Sequence, residues 1–101
     1  VRLKAGVRLT DLSPQIVLAA MIVREAYGSA SCTITSANDS KHSTLSLHYK
    51  GQALDFRTKD YPGNKQALVT SIKERLGADF DVVLEALGTD NEHLHLEHDP
   101  D

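Results

Sequence analysis

The run from Asp81 to His98 constrains the fold of this chain more than any other. Asp81–Leu87 and His93–His98 both alternate apolar with polar residues, and Gly88-Thr89-Asp90-Asn91-Glu92 between them is turn-forming. The pattern predicts a β-hairpin. Side chains alternate between the faces of a strand, so Val82, Leu84 and Ala86 share a face on the first strand, as Leu94 and Leu96 do on the second. Those are the core faces. The opposite face carries Glu85, His93, His95 and Glu97. A five-residue loop sets Glu85 directly opposite His95, with Cβ atoms about 5 Å apart.

The rest of the chain supplies layers for that hairpin. Ser13-Pro14 is a helix start, a capping hydroxyl followed by a residue tolerated in the first turn, and Gly28 is the matching stop. Apolar residues surround nearly the whole circumference of Pro14–Tyr27, which predicts a central buried helix. Ser31–Ser36 is rich in β-branched residues and reads as a strand. Val1–Leu9 reads as a short strand or an extended arm, and Ala37–Thr44 as a polar loop. Gln52–Thr58 reads as a strand with Ala53, Asp55 and Arg57 on one face and Leu54 and Phe56 on the other. A second helix is expected from Asp60-Tyr61-Pro62 to the residue before Gly77, with Leu68, Val69, Ile72 and Leu76 as its apolar stripe. The order of elements predicts an α+β fold, a mostly antiparallel sheet with two helices packed against it.

Length and composition bound the possibilities. The chain has 101 residues, 25% charged and 41% hydrophobic, which suits one soluble globular domain over residues 1–101. A net charge of −3 without a basic block argues against a nucleic-acid partner. The apolar run Ile16–Val23 is far short of the about 20 residues of a membrane span, and residues 1–10 lack the apolar block of a signal peptide. Cys32 is the only cysteine, so no intrachain disulfide forms, and it is expected to be a small buried hydrophobe. The domain is expected to be a monomer.

The polar residues assemble into a metal site. Ser46-Leu47-His48-Tyr49-Lys50-Gly51-Gln52-Ala53-Leu54-Asp55 carries a histidine and an aspartate, and His93-Leu94-His95 adds two imidazoles at strand spacing. Two imidazoles and one carboxylate make a three-ligand zinc site that leaves a position for water, the arrangement of catalytic zinc. The expected ligands of one Zn2+ are His48, Asp55 and His95. Zinc would bring the pKa of bound water to about 7 and polarise a carbonyl. Hydrolysis also needs a base. Glu92 has the wrong parity for the His95 face, whereas Glu85 is an odd residue in the run Val82–Leu87 unless it faces a polar cleft. Glu85 is the expected base. His42 and Ser46 are candidate substrate contacts, while Arg57 more simply forms a surface salt bridge. Taken singly, each histidine is an ordinary surface or core residue. The metal reading rests on their combination with Asp55 and Glu85.

Ser46-x-His48-x-x-Gly51-x-Ala53-x-Asp55 followed by His93-x-His95 resembles the zinc metallopeptidases that include bacterial D-Ala-D-Ala peptidases and phage endolysins. His42-Ser43-x-x-Ser46-Leu47-His48-Tyr49 through Asp55, with Phe80-Asp81-x-Val83-x-Glu85, is similar to the signalling domain of hedgehog proteins, which shares that fold. The likeness extends over about residues 31 to 98. It implies the zinc ligands His48, Asp55 and His95, a catalytic Glu85, and His42 and His93 beside the metal. In the D-Ala-D-Ala branch the glutamate precedes the last ligand by three residues and a tryptophan stands before that ligand. Glu92 and Leu94 hold those positions here. Near the loop matching the hedgehog calcium site only Asp39 is acidic, so no calcium is expected. The expected function is a zinc peptidase, of phage or bacterial origin, hydrolysing peptide bonds of peptidoglycan at the bacterial cell wall. The alternative is a non-catalytic hedgehog-like zinc-binding recognition module. A third reading is a domain whose metal only stabilises the fold.

Overall fold

The computed structural model describes residues 1–7, 9, 12–37 and 52–100. Strands β1 (Arg2–Leu3), β2 (Thr33–Ser36), β3 (Ala53–Arg57), β4 (Phe80–Glu85) and β5 (His93–His98) form one sheet in the order β1-β2-β3-β5-β4. The sheet is mixed: β1 runs parallel to β2, and every other pairing is antiparallel. Two helices, α1 (Pro14–Tyr27) and α2 (Lys65–Leu76), join it in a single hydrophobic core.

Alternation along the strands builds that core in rows. Ile34, Phe56, Leu94 and Leu84 lie side by side across four strands, and Leu54, Leu96 and Val82 form the next row. Against them α1 sets Ile16, Ala19, Val23 and Tyr27, and α2 sets Leu68, Val69 and Ile72. Cys32 is buried in the same core, where burial pushes its thiol pKa up to about 11.

Three expectations need correction. Helix α1 is not buried all round: Val17, Leu18 and Met21 are 45%, 62% and 62% exposed, because only the Ile16–Ala19–Val23–Tyr27 stripe meets the sheet. Helix α2 starts later than Asp60. The residue before a proline is pushed out of helical geometry, so Tyr61-Pro62 stays outside the helix, after the turn at 59–60. Asn64 caps instead, its Oδ1 accepting the Ala67 N–H at 3.0 Å. The stretch before it is also tight, since a Cβ on Gly63 would come within 2.9 Å of the Tyr61 ring. The sheet is mostly antiparallel as expected, with the edge strand β1 joining it in parallel. Finally, the hairpin register differs from expectation. Ala86 takes a left-handed φ of 54° and its carbonyl accepts from the Thr89 N–H and hydroxyl, so β4 ends at Glu85 and the connection runs from 86 to 92. Glu85 therefore pairs with His93, and Val83 with His95. A slip of two residues keeps the faces and exchanges the neighbours. Ala86 is exposed, outside the core.

The α1 cap gives a direct test of the sequence signal. Ser13 Oγ accepts the Ile16 N–H at 3.2 Å, and its hydroxyl donates to Gln52. Ser13→Ala should cost about 1 kcal/mol, visible as a lower urea midpoint at unchanged m; an unchanged midpoint would show the cap to be idle.

Candidate metal and recognition site

The sheet face turned away from the core carries the polar chemistry in three rows. Glu85, His93 and Arg57 form the first, Val83, His95 and Asp55 the second, and Asp81, Glu97 and Ala53 the third. A bulge in β2 extends the second row. Ile34 pairs with Phe56 but Ser36 pairs with Asp55, so Thr35 is an extra residue and Ser36 arrives beside the carboxylate. Bulges re-aim side chains in this way beside binding sites.

His95 is the centre of the arrangement. Its Nδ1 lies 2.6 Å from Asp55 Oδ1, and its Nε2 lies 2.5 Å from Glu97 Oε1. Burial pulls the imidazole pKa down, but hydrogen bonds to the two carboxylates overcome it and raise the value to about 9. Without metal the ring is thus an imidazolium donating to both acids. His93 is held separately: Nδ1 faces the Asn91 carbonyl at 2.6 Å, and Nε2 faces Glu85 Oε1 at 2.9 Å and Asp55 Oδ1 at 3.9 Å.

Of the residues singled out in the sequence, the fold brings together Asp55, His93 and His95, with Glu85 at the margin through His93. His42, Ser46 and His48 lie outside the described residues. Glu85 is half exposed and reaches His93 rather than His95. The donor set fits zinc: an imidazole nitrogen and a carboxylate oxygen side by side, with a second carboxylate behind the imidazole. Next to them opens a cleft of about 370 Å³ whose walls include Ser36, Asp55 and His93, with the cations Lys4, Arg57 and Lys59.

Two acidic residues have roles the sequence did not announce. Glu92, read as a loop residue, is 4% exposed. It accepts from the Thr58 hydroxyl at 2.6 Å, the Lys65 ammonium at 2.7 Å and the Gly88 N–H at 3.1 Å. Those partners, led by Lys65 and Thr58, hold its pKa at about 2. Glu97 shares the His95 face by parity, the one signal that pointed to it. It also stands with Asp81 and Asp99, their oxygens within 4.8 Å of one another, and such exposed acids commonly gather without an ion.

None of the curated proteins compared matches the chain. The family model of the hedgehog amino-terminal signalling domain matches residues 9–96. That match overturns the expected zinc peptidase, its peptidoglycan substrate and its place at the bacterial cell wall, because the matched family is a signalling module. The spacing of His48, Asp55 and His95 misled because ligand residues look alike whether or not hydrolysis follows. No helix among the described residues is long and apolar enough to cross a membrane. The chain belongs to the family of hedgehog amino-terminal signalling domains.

Proposed function

We propose that this domain is a non-catalytic zinc-binding recognition module, a secreted signalling ligand that engages a protein receptor. One zinc ion is held by His48, Asp55 and His95, with His42, Ser46 and His93 around it as contacts for the partner. The observation that carries this reading is the pairing of His95 Nδ1 with Asp55 Oδ1 at 2.6 Å on a sheet face beside the polar cleft, in a chain of the hedgehog signalling family. Bound zinc would supply a Lewis-acidic position for a partner's oxygen. The chain's own contribution is to fix Asp55 and His95 opposite each other on the adjacent strands β3 and β5. Lys4, Arg57 and Lys59 line the same cleft together with Asp55, Asp90 and Glu92, so it offers a partner groups of both charges.

The test is zinc stoichiometry followed by binding to the extracellular domains of hedgehog receptors. The wild-type chain should take up one zinc, and His48→Ala or His95→Ala should lower affinity by at least 100-fold. Receptor binding should weaken on chelation. Zinc uptake indifferent to His95→Ala would remove the ligand assignment, and receptor binding indifferent to zinc would remove its role in recognition.

A further inference from the structure

We infer that Glu97 is a positioning residue for the metal, holding His95 in the tautomer that turns its Nδ1 lone pair toward zinc. The inference rests on the zinc reading above. An imidazole can ligate a metal through only one nitrogen at a time, and its other N–H needs an acceptor to fix the ring. His95 has a carboxylate at each nitrogen: Asp55 at Nδ1 and Glu97 at Nε2. Either end could in principle take the ion. The cleft decides between them, because Asp55 lines it together with Ser36 and His93, and Glu97 does not. The ion therefore enters on the Asp55 side and replaces the proton on Nδ1. The Nε2–H is left donating to Glu97.

Strand geometry makes this contact a built one. Glu97 follows His95 by two residues on β5, so both side chains stand on one face. Its neighbour across β3 is Ala53, whose methyl leaves the longer side chain room to lie along the strand toward His95. Across β4 stands Asp81, with Asp99 close by, yet it is Glu97 that reaches the His95 Nε2. Asp55 is fixed independently, by its β3 pairing beside the Thr35 bulge.

Zinc titrations against a chromophoric chelator, with the metal-free unfolding temperature recorded, test the assignment. Glu97→Ala should keep one zinc per chain but bind it about 10- to 100-fold more weakly. Glu97→Gln, whose carbonyl can still accept the Nε2–H, should recover part of the loss. In the zinc-loaded wild type, side-chain nitrogen NMR should show a protonated Nε2 and a metallated Nδ1 at His95. An unchanged affinity in Glu97→Ala would overturn the inference while leaving the zinc reading intact. Loss of stoichiometry in a variant that still melts like wild type, or metallation at Nε2, would overturn it by making Glu97 a ligand. A wild-type chain that takes no zinc overturns both.

Discussion

Replacing Glu92 by alanine is expected to destabilise the domain by about 2 to 4 kcal/mol, the cost of leaving two hydrogen-bond donors without their acceptor. Glu92 ties three segments that are distant in sequence: the end of β3 through Thr58, the first turn of α2 through Lys65, and the hairpin connection through the Gly88 N–H. Removing the carboxylate leaves the fully buried Thr58 hydroxyl and a loop N–H without their acceptor. Glu92→Gln separates charge from shape, since the amide still accepts from Gly88 while Lys65 turns to solvent.

The same carboxylate sets an acid limit. Its folded pKa of about 2 lies below the ordinary 4.5. The charged form is thus favoured by folding, and its contribution is complete above about pH 4.5 and is lost as the pH falls toward 2. The magnitude is on the order of 1 to 3 kcal/mol, because solvent reaches the Lys65 partner and screens the pair. Urea unfolding of wild type and Glu92→Gln should show a gap at pH 7 that closes steadily between pH 4.5 and 2. A gap independent of pH would remove the charge from the account.

Glu92 also marks how far the sequence could be read. Strand parity is local, and it correctly separated Leu54 and Phe56 from Asp55 and Arg57, and Leu94 and Leu96 from His93 and His95. Helix α1 was written in its caps, Ser13 and Gly28. Register is another matter, because it depended on Ala86 entering the left-handed region and on Glu92 being fastened to Thr58 and Lys65, contacts made across 34 and 27 positions of chain. The parallel pairing of Arg2 with Thr33 and the bulge at Thr35 are equally non-local. For α1, apolar residues on every side suggested burial, yet a helix laid on one sheet buries one stripe. The site was legible in its ligand types alone. Imidazole and carboxylate serve a hydrolase and a recognition module equally, so the residues proposed for zinc could not separate the two functions.

Phe56→Ala is the second large effect, expected to cost about 3 to 5 kcal/mol. Phe56 is fully buried and stands in the row between Ile34 and Leu94, so its ring joins β2 to β5 across β3. Strands hold the neighbours at fixed spacing, so the space left by the ring closes poorly and the cavity penalty adds to the lost transfer energy. A domain of ordinary stability has only about 5 to 15 kcal/mol to lose. The site is placed to register the damage, because Asp55 is the preceding residue and points from the other face of the same strand. Phe56→Leu, which keeps most of the volume, should cost well under half as much. If the variant's folded fraction still pairs Asp55 with His95, saturating zinc should restore part of the stability by favouring the folded state. Urea midpoints with and without zinc measure both effects. A Phe56→Ala loss below about 1 kcal/mol would show that α1 and α2 can collapse into the space, contrary to the fixed packing of the Ile34–Phe56–Leu94–Leu84 row.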